Sequence, residues 1–149
     1  MSINCIRTLI EDAQSSHASK TAVIYEAQSI TYDELFIKVN QVAYYLNELN
    51  LPKGSRIGIY SNKGIDQVIA ILAILSTPYV LVPLTKLLKS EQVEYVINDC
   101  DIKCIITDKL KLESIEEINF SGHLISYETA HKDIPSFEEI FKYYNKSYS

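Results

Sequence analysis

The sequence predicts an α/β fold: a doubly wound, mostly parallel sheet with helices on both faces and a small N-terminal β-hairpin. Three observations carry this. From Arg56 onward, short apolar runs alternate with segments of helical periodicity, the pattern of successive β-α-β units with right-handed crossovers. The uncharged stretch Gln67 to Thr85 is interrupted at Ser76-Thr77-Pro78, which divides it into a buried helix and a buried strand. Upstream, Thr21 to Tyr25 and Gln28 to Thr31 are strand-like runs separated only by Glu26-Ala27, a hairpin spacing. With 149 residues, 47% hydrophobic and 22% charged, the composition suits one globular domain over residues 1–149. A chain of that size buries about 70% of the surface its unfolded form exposes, so it sustains a core without disulfides or metals.

In chain order, residues 3 to 15 read as the first helix, with Ile6, Leu9, Ile10 and Ala13 at helical spacing. The hairpin follows. Thr31-Tyr32-Asp33-Glu34 is a capping box, in which Thr31 accepts a first-turn N–H and Glu34 reaches back to the cap. It opens a long helix whose apolar stripe is Leu35, Val39, Val42, Ala43, Leu46 and Leu49, and Pro52-Lys53-Gly54 supplies the stop. Arg56 to Tyr60 reads as a short buried strand. Ile65 to Leu75 is apolar almost all round and so is expected to be the most buried helix, and Tyr79 to Val82 follows as a buried central strand. Ser90 to Asp99 is the next helix, and Cys104 to Thr107 and His123 to Ser126 are the next strands. The polar stretch Lys109 to Asn119 between those strands is either a short helix or a loop. Ser136-Phe137-Glu138-Glu139 is a second capping box, opening a helix through Tyr144 with Phe137, Ile140, Phe141 and Tyr144 on one side.

Composition also excludes function classes. The net charge is -5, and the basic residues are scattered, whereas phosphate neutralisation needs a clustered basic footprint, so nucleic acid is not an expected partner. A membrane-spanning helix needs roughly 20 apolar residues in sequence. Pro78 breaks the one stretch long enough, at a cost of about 3 kcal/mol in a helix interior, so no membrane span is expected. Cys5, Cys100 and Cys104 form an odd, sparse set without a disulfide framework. A reducing, cytoplasmic location is the simpler reading, and Met1 to Arg7 lacks the basic and apolar regions of a secretory signal. Cys100 and Cys104 are placed at a helix end and on a strand, with His17, His123 and His131 far off in sequence, so no metal site is assigned.

A doubly wound sheet directs attention to a phosphate loop at a helix N-terminus. The four glycines, Gly54, Gly58, Gly64 and Gly122, form neither G-x-G-x-x-G nor a Gly-Lys-Ser/Thr sequence. Asn62-Lys63-Gly64 is the nearest candidate and reads better as a plain strand-to-helix turn. No G-x-S-x-G elbow is present. Asp99, Asp101 and Asp108 stand near element ends, as a phospho-acceptor carboxylate would. A receiver-like module, however, needs an acidic cluster after its first strand, and Thr21 to Tyr25 is followed only by Glu26. No residue of this chain is therefore assigned as catalytic, cofactor-binding or metal-ligating.

Two boxes carry a resemblance. Ile30-Thr31-Tyr32-Asp33-Glu34-Leu35 resembles the first core motif of the adenylate-forming superfamily, usually Leu-Thr-Tyr-x-Glu-Leu, which includes acyl-CoA synthetases, luciferases and nonribosomal peptide synthetase adenylation domains. Leu75-Ser76-Thr77-Pro78-Tyr79-Val80-Leu81-Val82-Pro83-Leu84 resembles the second, Leu-Lys-Ala-Gly-x-x-Tyr-Val-Pro-Leu, at the expected place. Here Ser76 stands for the motif's lysine, Pro78 for its glycine and Leu81 for its tyrosine, and Thr85-Lys86 for a common Asp-Pro. Thr21 to Tyr25, Gly54 to Ile59 and Asn98 to Asp108 also fit, so the resemblance covers about Ile3 to Asp108 clearly.

The resemblance implies the N-terminal part of an enzyme that activates a carboxylic acid with ATP and Mg2+ to an acyl-adenylate, often for transfer to a CoA or carrier-protein thiol. It also implies that the family's pyrophosphate loop, adenine and ribose contacts and catalytic lysine come after this region, which ends at Ser149 about where that loop would begin. The chain is then expected to be scaffold, inactive alone, with no cofactor of its own. Its expected partner is the missing C-terminal part of the ligase or another chain supplying it, with self-association through exposed apolar surface. The alternative is a stand-alone, non-catalytic α/β binding or assembly module derived from that family.

Overall fold

The computed structural model describes residues 6–131 and 133–144. A helix α1 (Ile6–His17) precedes a hairpin of β1 (Thr21–Tyr25) and β2 (Gln28–Thr31), and a long α2 (Tyr32–Glu48) follows. Then β3 (Arg56–Tyr60), α3 (Ile65–Leu75), β4 (Val80–Leu84), α4 (Ser90–Asp99), β5 (Ile102–Thr107), α5 (Lys109–Glu116), β6 (His123–Ser126) and α6 (Phe137–Tyr143) alternate. β1 and β2 pair antiparallel, with Tyr25 opposite Gln28 and Glu26 at φ 55 in the two-residue turn. The other four strands form a parallel sheet in the order β4-β3-β5-β6. The α/β class, parallel sheet and hairpin are those expected from the sequence.

Side chains alternate across the sheet and fill two cores. Ile57, Ile59, Cys104, Ile106 and Ile125 meet Val39, Val42 and Leu46 of α2, Ile69 and Ala73 of α3 and Phe137 and Ile140 of α6. On the other face Tyr60, Ile105 and Leu124 meet Val93 and Ile97 of α4 and Ile115 of α5. The β3–β5 register shifts so that Arg56 pairs with Ile102 and Ile57 with Cys104, leaving Lys103 unpaired and turning Ile102 to the second core. Along α3 only Leu75 is exposed. Cys100 and Cys104 are free thiols on opposite sides of the sheet, and burial pushes the Cys104 thiol up to about 12.

The Thr31 capping box forms as expected: Glu34 N–H donates to Thr31 Oγ1 at 3.2 Å, and Thr31 N–H to Glu34 Oε2 at 3.3 Å. The second box is only half made. Ser136 Oγ accepts the Glu139 N–H at 3.2 Å, but the Glu139 carboxylate meets the Ser136 hydroxyl rather than its backbone. The ambiguous stretch resolves as α5, capped by Asp108.

Three expectations are corrected. The long helix stops at its cap Leu49, followed by Asn50 in the left-handed region (φ 53), before Pro52 is reached. Pro52 to Ser55 make a separate turn, closed by Ser55 N–H to Pro52 O at 3.0 Å, with Gly54 at φ 83 where a type II turn demands it. The first helix runs on to His17, and residues 3–5 lie outside the described residues.

The third correction concerns β4, which is neither central nor buried: it forms one edge of the sheet, and only Leu84 in it is buried. An apolar run cannot distinguish edge from centre, but Pro83 could have done so. Val80 N–H donates to Ser55 O of the β3 side at 2.9 Å, so alternation turns the backbone N–H positions of Leu81 and Pro83 away from β3. There the missing N–H breaks no ladder bond and offers no donor to an incoming strand.

Candidate active-site cleft

A cleft of about 760 Å3 opens at the C-terminal ends of β3, β5 and β6, roofed by the hairpin turn and the first turns of α2. Its position follows from the topology. From β3 the chain passes through α3 to β4 on one side, and from β5 through α5 to β6 on the other, so the switch point of the sheet lies between β3 and β5. Loops leaving two such strands diverge, and the crevice between them is where open α/β sheets bind ligands.

Asn62, in the loop after β3, and Asp108, directly after β5, meet across that crevice. One Asp108 oxygen accepts the Asn62 N–H at 2.7 Å and its side-chain amide at 3.0 Å, and the other accepts the Lys111 N–H at 2.7 Å. The Asn62 donors and the first-turn N–H of Lys111 are thus occupied by a carboxylate of the chain itself, whereas the first turn of α3 carries no side-chain cap. Beneath, Ser61 Oγ shares a hydrogen bond of 2.8 Å with Tyr127 Oη and receives the Gln67 amide at 3.4 Å. Burial pushes the Tyr127 hydroxyl well above its ordinary range. Phe137 packs on the Tyr127 ring at 5.0 Å between centroids, so α6 braces the floor.

The walls are acidic. Glu26, Glu34, Asp66, Asp108 and Glu128 line the cleft against Lys38 and Lys63. Glu128 accepts the Lys109 N–H at 2.8 Å. Asp66, in the first turn of α3, is partly buried, and burial, followed by the Glu128 and Glu138 carboxylates, raises its pKa; Lys38 works the other way. The Lys38 ammonium itself lies 5.1 Å from the Phe141 ring centroid.

The turn Asn62-Lys63-Gly64 does lie in the cleft, but as the strand-to-helix connection the sequence suggested. Gly64 is extended (φ 163) with open space where a Cβ would stand, so nothing there needs a glycine. The structure does not gather Asp99, Asp101 and Asp108. Asp101 sits in the turn before β5, at the opposite end of that strand from Asp108, and pairs with Lys103 at 3.0 Å. His131 bonds Glu116 at 2.8 Å on the surface. No group of three His, Cys, Asp or Glu side chains could hold a metal ion among the described residues. Nor is any described helix long and apolar enough to cross a membrane. Sequence reasoning overlooked Asp66, Tyr127 and Glu128. The available signal was that acidic or hydroxyl residues follow the C-terminal end of β3, β5 and β6 in turn, where side chains of parallel strands converge.

Comparison with known proteins gives a consistent picture. Residues 10–143 match the family of AMP-binding enzymes. Gramicidin S synthase 1 of Brevibacillus brevis is 31% identical over 123 residues, 83% of this chain and 11% of that protein. Zwittermicin A synthase ZmaJ of Bacillus cereus is 30% identical over 113 residues, 76% of this chain and 22% of that protein. In structure, the anthranilate CoA ligase AuaEII superposes with a TM-score of 0.84 at 22% identity, over 93% of this chain and 28% of that one. A benzoate CoA ligase from Burkholderia xenovorans LB400 gives 0.82 at 21%, over 94% and 28%. The chain therefore spans a small part of the length of the relatives it matches, and its fold is that of the N-terminal subdomain of adenylate-forming ligases.

Proposed function

Because the chain belongs to the AMP-binding enzyme family, we propose that it serves as the N-terminal scaffold of a carboxylic-acid-activating, acyl-adenylate-forming ligase and does not catalyse adenylation alone. The observation that supports this most strongly is the match over residues 10–143, set beside what the family's two boxes do in this fold. Thr31 and Glu34 close the start of α2, and Leu75 to Leu84 form the α3 end, the turn and the β4 edge. Each has a structural task and neither presents a reacting group.

The family's full-length enzymes use ATP and Mg2+. The residues present fit the nucleotide poorly: Asp108 takes the Asn62 and Lys111 donors, and the cleft walls carry more carboxylates than ammonium groups. Binding of phosphate, adenine, ribose and metal is assigned to the rest of the ligase, supplied by a continuing chain or by a second polypeptide. Exposed apolar side chains such as Ile24 (72%) and Leu110 (76%) near the cleft suit coverage by that partner, or self-association without it. A cytoplasmic setting accords with the free thiols Cys100 and Cys104.

A graft tests the scaffold role. Residues 10–143 replace the corresponding segment of the gramicidin S synthase 1 adenylation region, and ATP–pyrophosphate exchange is assayed. Retained exchange is the expected result; a folded chimera without exchange contradicts the assignment.

A further inference from the structure

Basic residues that are scattered along the sequence are gathered by the fold at one place. The loop after β4 contributes Lys86 and Lys89, and the first turn of α5 contributes Lys109 and Lys111. Lys111 joins the two segments. Its ammonium donates to Lys86 O at 2.8 Å and lies 5.5 Å from the Tyr60 ring centroid, while the Tyr60 hydroxyl donates to Leu88 O at 2.6 Å. No carboxylate pairs with any of the four lysines, since the ion pairs among the described residues are Arg7–Glu11, Asp101–Lys103 and Glu116–His131. Leu87 and Leu110, each next to one of these lysines in sequence, are 80% and 76% exposed, and among the described large apolar side chains only Tyr143 is more so. A chain with a net charge of -5 thus concentrates unpaired positive charge around two uncovered leucines.

The two kinds of group together select the partner. Exposed leucines have no counterpart on a nucleic-acid backbone. A flat anionic membrane cannot follow a concave surface, and Leu110 lines the cleft. Carboxylates interleaved with apolar side chains complement both the lysines and the leucines. We propose that this surface docks an acidic, apolar-bearing segment of a partner polypeptide, with its carboxylates on Lys86, Lys89 and Lys109 and its apolar side chains on Leu87 and Leu110. The Lys111 bridge holds the two segments together before the partner arrives, which lowers the ordering cost of binding. This goes beyond the scaffold role and does not depend on it.

The 149-residue protein, 15N-labelled, is titrated with the peptide acetyl-Glu-Leu-Asp-Glu-Leu-Glu-amide, following backbone amides by NMR. Parallel titrations use the same peptide with Gln and Asn for its acids, phosphatidylserine vesicles and oligothymidylate. Expected are saturable shifts at Lys86 to Lys89 and Lys109 to Lys111 with the acidic peptide alone. Affinity should fall at least about tenfold in the double variant Lys86→Glu, Lys109→Glu, and that variant should instead bind the peptide carrying lysine for each acid. The double variant Leu87→Ser, Leu110→Ser should also bind more weakly. Absence of saturable shifts, equal binding of the neutral peptide, binding of vesicles or oligothymidylate at those amides, or unchanged affinity in either double variant would overturn the proposal. All four substituted side chains are exposed; should a variant nevertheless not fold, the acidic and neutral peptides on the parent protein decide.

Discussion

Asn62 and Asp108 lie 46 residues apart in sequence and are joined by two hydrogen bonds, of 2.7 and 3.0 Å, onto one carboxylate oxygen. Through them the loop leaving β3 toward one face of the sheet is tied to the cap of α5 on the other. The same carboxylate caps α5 through its second oxygen, so a single side chain links the two loops that diverge from the switch point.

Removing that carboxylate is expected to destabilise the fold. Asp108→Ala frees the Asn62 and Lys111 donors and should cost about 1.5–3 kcal/mol, the range for hydrogen bonds to a charged group. Asp108→Asn keeps one acceptor oxygen and should cost less. Urea unfolding of the two variants against the parent measures the difference, and equal stabilities would show that the crevice is held by other contacts.

Asp66 gives a pH-dependent effect of the opposite sign. Its folded-state pKa is raised above the ordinary value of 3.8, first by burial and then by Glu128. The folded state thus holds that proton more tightly than the unfolded state. The stability from this group is fully present below the unfolded pKa and is lost as pH rises through the raised one. Asp66→Asn removes the penalty, so the variant should unfold at higher urea than the parent near neutral pH. Its advantage should shrink as pH falls into the carboxylate range. A margin that widens toward acid would reverse the assigned sign.

The α2 cap is local and its cost should be modest. Thr31→Ala removes the acceptor of the Glu34 N–H and should lose about 1 kcal/mol. Chemical denaturation reads this directly, and a loss below a few tenths would mean that tertiary packing alone fixes the start of α2.

Gln41 holds the last helix from a distance. Its buried side-chain amide donates to Tyr144 O at 2.9 Å and Phe141 O at 3.3 Å, satisfying carbonyls that end α6. Gln41→Leu keeps the volume and removes the donor, at an expected cost of about 1–3 kcal/mol. Amide exchange should accelerate first in α6, ahead of β3 and β5. Uniform acceleration would place Gln41 in the global core instead.

Legibility in the sequence followed the range of the interactions. The α2 start was readable because Thr31 and Glu34 act three residues apart, and Ile65 to Leu75 because Pro78 ends an apolar run decisively. The stop of α2 was misplaced because Pro52 and Gly54 are strong turn residues, while Asn50 signals a left-handed cap only weakly. The edge position of β4 was hidden in an apolar run that suits either place, although Pro83, which has no ladder donor, carried a cue to it. The cleft was illegible because it forms where the hairpin turn near Tyr25 folds over loops that follow strands 35 to 101 residues later. The Gln41 support of α6 spans a similar distance, and no local pattern records such pairings.

The central claim, that the chain is scaffold and lacks the chemistry of its family, is tested most directly by ATP–pyrophosphate exchange with the purified 149-residue protein across a panel of aliphatic, aromatic and amino acids with Mg2+. Exchange indistinguishable from a protein-free control with every acid is the predicted result. Acid-dependent exchange that co-purifies with the folded chain would contradict it, and would place a complete adenylation site within these residues.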